Sequence, residues 1–126
     1  MRIVVTGGAG FIGANLVTDL ASDERVDQIV VFDDLTTGDR SNVPEHAKVT
    51  FVEGSILDEH ALAQACSGVE SIVHLGAIPS VPRSIADPVR THHANVTGTV
   101  NVLEAARSTM APVSYTHLTL PTILLV

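Results

Sequence analysis

Short apolar runs alternate with amphipathic stretches along most of the chain. Residues 3–5 are β-branched within a predicted strand at 2–6, and apolar side chains at helical spacing follow over residues 11–22. β-branched runs are typical of buried strands, whereas a spacing of three to four residues is typical of an amphipathic helix. The same pattern predicts three further strands, at residues 28–32, 49–52 and 71–75.

Two further helices are predicted from residues that commonly begin and end helices. Asp58 is a suitable N-cap for a helix that stops near Gly68, and Asp87 with Pro88 begins a longer one. The predicted buried face of the longer helix consists of Val89, Val96, Val100 and Leu103. Strands that alternate with helices predict an α/β fold, a doubly wound parallel sheet that binds ligands at the carboxyl ends of its strands.

The segment TGGAGFIG, at residues 6–13, connects the first predicted strand to the first helix, and three of its four glycines recur at every third position. Gly7 allows a tight turn, Gly10 allows a pyrophosphate to approach the backbone, and Gly13 allows the helix to lie close to the strand. The free N–H groups of the helix N-terminus also favour phosphate. The spacing is Gly-x-x-Gly-x-x-Gly rather than the usual Gly-x-Gly-x-x-Gly, so the interpretation depends on the strand–turn–helix context.

An acidic residue stands where a dinucleotide site needs one. Asp33 ends the second predicted strand, 20 residues after Gly13, and an acid there can accept hydrogen bonds from an adenosine ribose. The alternative is a solvated acid after an ordinary strand, but position, spacing and context agree on a dinucleotide site. The polar loop at residues 36–42 either folds over the adenosine or is a solvated connection.

Composition narrows the class of protein further. The chain has 126 residues, 45% of them hydrophobic and only 3% aromatic, so we expect one domain with an aliphatic core. The net charge of −7 argues against a nucleic-acid partner. Cys66 is the single cysteine, which favours a buried core residue and a reducing cytoplasm. Residues 1–5 run directly into the first predicted strand, and no apolar run of about 18 residues occurs, so we expect neither a signal peptide nor a membrane span.

The histidines do not form a metal motif. His92 and His93 are adjacent and so point to different sides of a helix, while His74 at a strand end is expected to pack or bond locally. No cysteine and histidine spacing suits zinc, and we therefore predict no metal site.

Five segments occur in the order that one enzyme family shows. They are TGGAGFIG (6–13), VFDDLTTG (31–38), FVEGSI (51–56), VHLGA (73–77) and NVTGTVNVLEA (95–105). Together they resemble the extended short-chain dehydrogenase/reductases, the NAD-dependent sugar-nucleotide epimerases and dehydratases, with the UDP-hexose 4-epimerases closest. The resemblance covers residues 1 to about 108. It implies a Rossmann-type domain, NAD as cofactor, a nucleotide sugar as substrate of the full-length protein, and a full-length homodimer.

The resemblance also implies which residues bind the cofactor. Phe11 and Ile12 would present backbone N–H groups to the pyrophosphate, and Asp33 would hold the adenosine ribose. The family usually has aspartate in the place of Ser55, where it contacts the adenine amine; a serine can still accept one hydrogen bond. The implied cofactor residues are Gly7, Gly10, Phe11, Ile12, Gly13, Asp33, Asp34, Leu35, Thr36, Thr37, Gly38, Ser55, Ile56, Leu75, Gly76, Ala77, Ile78, Pro79 and Asn95.

A loop at residues 80–84 resembles the segment that meets the sugar nucleotide in the N-acetylhexosamine 4-epimerases. The implied substrate residues are Ser80, Val81, Arg83 and Ser84. Their hydroxyls and the arginine suit a polar, anionic substrate. The alternative is a connection stiffened by Pro82.

The catalytic residues of the family are missing from this chain. The family uses a tyrosine base with a lysine four residues later; here Tyr115 is the only tyrosine, Thr119 stands four residues later, and Lys48 is the only lysine. We therefore assign no catalytic residue and expect the chain to be inactive alone, although its family consists of NAD-dependent epimerases and dehydratases.

The carboxyl-terminal segment departs from the family. Residues 113–122, VSYTHLTLPT, match one reading frame of a transposon-based sequencing-library adapter. We therefore expect residues 1–111 to form an incomplete NAD-binding domain, truncated after about four strands, and residues 112–126 to be a non-native tail. The alternative is a native divergent tail. The uncharged residues 122–126 have strand-like composition and are expected at the vacant fifth strand position.

The leading hypothesis for function is the cofactor-binding half of a UDP-hexose 4-epimerase. The alternatives are a non-catalytic dinucleotide-binding module, acting as a sensor or partner subunit, and a related sugar-nucleotide dehydratase or decarboxylase. Asp33 favours NAD over NADP, because its carboxylate would repel a 2′-phosphate.

Overall fold

Five parallel strands form the centre of the fold, and helices cover both faces. The strands are β1 (Arg2–Thr6), β2 (Gln28–Asp33), β3 (Val49–Glu53), β4 (Ser71–His74) and β5 (Val113–Tyr115). The computed structural model describes residues 1–115. The strands lie side by side in the order β3-β2-β1-β4-β5, all parallel, which confirms the predicted doubly wound α/β sheet.

Five α-helices flank the described strands, two of them with the N-caps that the sequence predicted. They are α1 (Phe11–Ala21), α2 (Glu59–Ala65), α3 (Val81–Ala86), α4 (Pro88–His92) and α5 (Gly98–Thr109), with a π-helical turn at His93–Thr97 and a 3₁₀ helix at Arg40–Asn42. The Asp58 carboxylate accepts the N–H of Ala61 at 3.1 Å, and the Asp87 carboxylate accepts that of Arg90 at 3.1 Å. Both predicted N-caps are therefore confirmed.

The two faces of the sheet bury separate apolar layers, because successive side chains of a strand point to opposite faces. On one face Val5 of β1 belongs to the same buried cluster as Val17 of α1, and on the other Val4 clusters with Leu62 of α2. Cys66 is fully buried in the second layer, which confirms it as a core residue. Burial raises the pKa of the Cys66 thiol to about 11.

The predicted buried face of the last helix is wrong. Its four residues are between 37% and 65% exposed: Val89, Val96, Val100 and Leu103. The buried side of this segment instead carries smaller or polar side chains: Asn95, Thr99, Val102, Ala105 and Ala106. Small residues are needed because the helix lies so close to its neighbours that a Cβ on Gly98 would stand 2.4 Å from the Cδ1 of Ile56. The π-helical turn also breaks the 3.6-residue spacing on which the prediction relied.

A fifth strand, Val113–Tyr115, lies at the sheet edge where the truncated native domain was expected to end. Ile72 of β4 lies beside Val113 of β5, and the Ile72 N–H donates to the Pro112 carbonyl at 3.0 Å. The described sheet therefore has five strands rather than about four. The backbone groups on the edge of β4 need partners, and the chain returns beside them directly after α5. Residues 122–126, expected at this position, lie outside the described residues.

The glycine turn brings three backbone segments into close contact. Gly7 has a φ of +71°, and a Cβ on it would lie 2.7 Å from backbone atoms of Leu75 and Gly76. A Cβ on Gly13 would lie 2.3 Å from the Gly7 carbonyl oxygen. These distances account for the tight turn at Gly7 and the close helix at Gly13 that the sequence predicted.

We expect Gly13→Ala to destabilise the chain by about 2–3 kcal/mol, because the new methyl group must displace backbone rather than a flexible side chain. Gly10→Ala is the matched control: its Cβ meets only the Gly7 carbonyl oxygen, at 3.4 Å. At the N-cap we expect it to cost less than about 1 kcal/mol. Urea unfolding of both variants measures the difference, and equal losses would contradict the packing argument.

Candidate functional site

A cleft of about 780 Å³ opens at the carboxyl ends of β1, β2 and β4. It lies beside the point where the strand order reverses, between β1 and β4, which is where open parallel sheets bind ligands. Most of the predicted cofactor residues line it: Gly7, Gly10, Phe11, Ile12, Gly13, Asp33, Asp34, Thr36, Thr37, Ser55, Ile56, Leu75, Gly76, Ala77, Ile78 and Pro79. The topology thus brings together segments that are up to 72 residues apart (7 to 79) in the chain.

The glycine turn and the start of α1 form the wall that suits an anion. Gly10 is the N-cap of α1 and supplies no side-chain cap, and the first turn carries no acidic residue. The first N–H groups of an α-helix have no partner within the helix, so those of Phe11 and Ile12 can face a ligand. Because Gly10 lacks a Cβ, a phosphate can approach this backbone closely.

Asp33 is held rigidly at the end of β2. Its side chain is nearly buried, and its two carboxylate oxygens accept the N–H groups of Ala9 at 2.9 Å and Leu35 at 2.8 Å. Each oxygen keeps further acceptor capacity, which a ribose hydroxyl can use. The carboxylate therefore has a fixed orientation before any ligand arrives.

The loop after β2 is docked on the glycine turn and is not a free solvated connection. The Ala9 carbonyl accepts the N–H of Asp39 at 3.1 Å and the side-chain amide of Asn42 at 3.0 Å. A Cβ on Gly38 would stand 2.8 Å from the Ala9 carbonyl carbon. Leu35 and Gly38, both predicted to contact the cofactor, do not line the cleft; Leu35 packs in the core and Gly38 supports the glycine turn.

Ser55 and Ile56 reach the cleft from the end of β3. The Ser55 hydroxyl oxygen accepts the Leu57 N–H at 3.1 Å, so its proton remains available to a ligand acceptor. The Ile56 carbonyl accepts the side-chain amide of Asn101 at 3.0 Å, which ties this loop to α5.

Two polar side chains hold the loop after β4. The Thr6 hydroxyl oxygen accepts the N–H groups of Leu75 and Gly76, each at 3.2 Å. The Asn95 amide makes a paired contact with Ile78: it accepts the Ile78 N–H at 2.7 Å and donates to the Ile78 carbonyl at 3.1 Å. Asn95 does not line the cleft, so the structure places it behind the loop as a support.

The predicted substrate loop is a helix, α3. Ser80 is its N-cap, with its hydroxyl oxygen accepting the Arg83 N–H at 3.3 Å, and the Ser84 hydroxyl donates to the Val81 carbonyl at 2.7 Å. None of the four predicted substrate residues lines the main cleft. Arg83 instead lines a smaller adjoining cleft of about 360 Å³ with Arg90, Thr36 and others.

Eight cleft residues escaped the sequence analysis: Phe32, Gly54, Leu57, Asp87, Val89, Arg90, His93 and Ala94. Phe32, Gly54 and Leu57 directly adjoin predicted cofactor residues, namely Asp33, Ser55 and Ile56, so the immediate neighbours of those residues would have found them. The last five belong to α4, its N-cap and the π-helical turn, and no local motif places that segment beside the cleft.

His74, His92 and His93 do not point at a shared metal position. His74 is fully buried between the hydroxyls of Thr6, at 2.5 Å, and Thr99, at 3.1 Å, in agreement with the local bonding expected from the sequence. The rings of His92 and His93 stand nearly perpendicular, with centroids 6.1 Å apart. Within residues 1–115, no three His, Cys, Asp or Glu side chains are grouped so that they could hold a metal ion. Nor does any helix of that part of the chain have the length and hydropathy to cross a membrane.

The fold and the site define a dinucleotide-binding α/β domain. Comparison with known sequences is more specific: the sequence model of the NAD dependent epimerase/dehydratase family matches residues 3–119. The chain therefore belongs to the NAD dependent epimerase/dehydratase family, and the cofactor of that family is NAD, as the sequence predicted.

Individual relatives carry two kinds of name. The chain is 39% identical over 109 residues to dTDP-glucose 4,6-dehydratase of Mycolicibacterium smegmatis, covering 85% of this chain and 33% of that one. It is 35% identical over 115 residues to UDP-glucose 4-epimerase of Erwinia amylovora, covering 86% and 34%. The chain thus spans about a third of the length of these relatives.

Solved structures of both an epimerase and a dehydratase superpose on this chain. The UDP-glucose 4-epimerase of Thermus thermophilus in complex with NAD superposes with a TM-score of 0.79 and 38% identity, over 88% of this chain and 35% of that one. The dTDP-glucose 4,6-dehydratase DesIV of Streptomyces venezuelae, with NAD and TYD bound, gives 0.80 and 39%, over 88% and 37%.

Acidification is expected to weaken the fold through His74. Burial lowers the pKa of His74 to about 4, whereas an unfolded histidine titrates near about 6.5. As the pH falls, the unfolded chain takes up this proton first. Stability is therefore complete above about pH 6.5 and falls toward pH 4, by about 3 kcal/mol in total.

Urea unfolding between pH 7 and pH 4.5 measures this loss. His74→Asn should remove that part of the pH dependence, while His60→Asn, at an exposed position, should keep it. An unchanged pH profile in His74→Asn would show that another group causes the loss.

Proposed function

We propose that this chain is the cofactor-binding part of an NAD-dependent sugar-nucleotide epimerase or dehydratase, and of a UDP-hexose 4-epimerase in particular. The proposal depends most on one observation: the open N–H groups of α1 and the fixed carboxylate of Asp33 face the same cleft at the strand-order reversal. A dinucleotide needs an anion site for its pyrophosphate and an acceptor for its ribose at this separation along a βαβ unit.

The residues of the cleft have distinct proposed tasks. The N–H groups of Phe11 and Ile12 bind the pyrophosphate, and Asp33 accepts hydrogen bonds from the adenosine ribose. Ser55 and Ile56 flank the adenine, and the loop from Leu75 to Pro79 lines the nicotinamide side. The bound cofactor supplies hydride acceptance and return; the residues described here bind and orient it.

The substrate of the full-length protein is proposed to be a nucleotide sugar. The solved relatives include a UDP-glucose 4-epimerase in complex with UDP-glucose from Thermotoga maritima. In this chain, Arg83 and Arg90 line the smaller cleft, which shares Thr36, Ile78, Asp87 and Arg90 with the main one. An anionic group placed across the two clefts would meet both arginines. Ser80, Val81 and Ser84 then shape the helix that presents Arg83.

The dehydratase is the second candidate within the family, because the relative from Mycolicibacterium smegmatis carries that name at 39% identity; a related decarboxylase belongs to the same group. A non-catalytic dinucleotide-binding module is the candidate from another class. It is favoured by the absence of a tyrosine–lysine pair from the 126 residues, in which Tyr115 and Lys48 are the only members of their types.

Partners and boundaries are also proposals. The exposed side chains of Val96, Val100 and Leu103 follow one another at helical spacing, which supports burial against a second copy in a full-length homodimer.

The reduced, buried Cys66 supports a cytoplasmic location. We keep residues 1–111 as the native NAD-binding domain and residues 112–126 as a non-native tail, although the family match runs to residue 119. Amplifying the gene from independent DNA tests that boundary.

Asp33→Ala is expected to weaken NAD binding by about 1–3 kcal/mol, because a charge-assisted hydrogen bond to the ribose is lost. The unsubstituted chain should bind NAD more tightly than NADP, whose 2′-phosphate the carboxylate repels. Glu53→Ala is the matched control, since Glu53 ends the neighbouring strand, is exposed and does not line the cleft. Calorimetric titration with both cofactors tests this; tighter binding of NADP would contradict the assignment of Asp33.

The 126-residue chain is expected to convert neither UDP-glucose nor dTDP-glucose, because it lacks the base that such chemistry requires. The full-length protein should convert UDP-glucose to its 4-epimer, and should carry a tyrosine with a lysine four residues later. If the 126-residue chain converted either nucleotide sugar, the prediction that it contains no catalytic residue would be wrong. A full-length protein without that pair would favour the non-catalytic module.

A further inference from the structure

His74 sits at the centre of a buried chain of hydrogen bonds behind the cleft. Its Nδ1 contacts the Thr6 hydroxyl at 2.5 Å, and its Nε2 contacts the Thr99 hydroxyl at 3.1 Å. The Thr99 hydroxyl also donates to the Asn95 carbonyl at 2.6 Å. Thr6 and His74 are fully buried, and Asn95 and Thr99 nearly so, so water does not complete these bonds.

The proton positions in this chain follow from the bonds of Thr99. Its hydroxyl donates the proton to the Asn95 carbonyl, so its oxygen can only accept from the Nε2 of His74. A neutral imidazole with its proton on Nε2 has an acceptor at Nδ1, and the Thr6 hydroxyl donates to it. The Thr6 oxygen still accepts the Gly76 N–H, whereas the Leu75 N–H is shared with the Thr6 main-chain carbonyl, at 3.0 Å.

The same bonds exclude the neutral ring with its proton on Nδ1. The Thr99 proton is committed to the Asn95 carbonyl, so a bare Nε2 would have no donor. The Thr6 hydroxyl proton would also lose the Nδ1 acceptor. The neutral Nε2-protonated form is the one in which every described group is satisfied.

We propose that His74 is a positioning residue for the cofactor cleft: in this tautomer it fixes the Thr6 hydroxyl that holds Gly76, and through Thr99 it holds the π-helical turn that carries Asn95. Asn95 in turn clamps Ile78. One ring thus fixes both ends of the loop that lines the proposed nicotinamide side. The inference rests on the proposed function only where it concerns NAD.

Nitrogen NMR of the 126-residue chain tests the tautomer directly. At neutral pH, Nε2 of His74 should carry the proton and Nδ1 should be bare. A proton on Nδ1, or on both nitrogens, would overturn the proposal.

Hydrogen exchange tests the positioning role with variants that separate the two arms. In His74→Asn, the amide oxygen takes the place of Nδ1, so we expect protection of Gly76 to persist and that of Ile78 to fall at least tenfold. In His74→Gln, the amide nitrogen takes the place of Nε2, so the reverse is expected. His74→Phe should lose both. The Leu75 amide also donates to the Thr6 main-chain carbonyl and should stay protected in all three variants. Ile72→Ala, on the same strand, is the control for general destabilisation and should alter the Gly76 and Ile78 amides evenly.

NAD titration of the same variants separates this proposal from the proposed function. His74→Phe should bind NAD at least tenfold more weakly than the unsubstituted chain, with each amide variant between them. If the unsubstituted chain does not bind NAD while the exchange pattern appears, the proposed function fails and the positioning of the loop stands. If all His74 variants match Ile72→Ala in exchange, the positioning role is refuted.

Discussion

Close backbone contact at the glycine turn is the constraint on which the rest of this structure depends. Gly7 approaches the loop after β4, Gly13 approaches Gly7, and Gly38 approaches Ala9, each at a distance that leaves no room for a Cβ. Three segments can therefore meet around one turn. The helix N-terminus, the acid of β2 and the loop of β4 reach the same cleft only because that turn is so compact.

Polar groups around the turn convert close contact into a defined geometry. The N–H of Ala9 donates to Asp33 and its carbonyl accepts from the loop after β2, so the backbone of one residue joins the glycine turn to both segments on the adenosine side. On the other side, the hydroxyl of Thr6 holds the loop after β4. Buried polar groups of this kind cost free energy unless they are paired, and in residues 1–115 every buried side-chain nitrogen and oxygen has a partner. The paired arrangement therefore favours one conformation of the cleft.

Helix α5 also packs closely against its neighbours, and small or polar side chains rather than large apolar ones form most of its buried side. Its buried side carries Thr99, Val102 and two alanines, while larger apolar residues face outward. Small side chains let the helix approach Ile56, and Thr99 adds a hydroxyl to the bonds of His74. Val96, Val100 and Leu103 stay exposed within residues 1–115.

The sequence by itself determined the elements whose signal is local. The first four strands, the glycine turn, the acid at the end of β2 and the caps Asp58 and Asp87 each depend on neighbouring residues, so spacing and composition were sufficient. Tertiary structure decided what depends on distant segments: which face of α5 is buried, that Leu35, Gly38 and Asn95 support the cleft rather than line it, and that α4 adjoins it. It also placed residues 113–115 beside β4, because an unpaired strand edge accepts any nearby extended segment. Local patterns cannot show these outcomes, because a helix face or a loop is buried by whatever the whole chain brings against it.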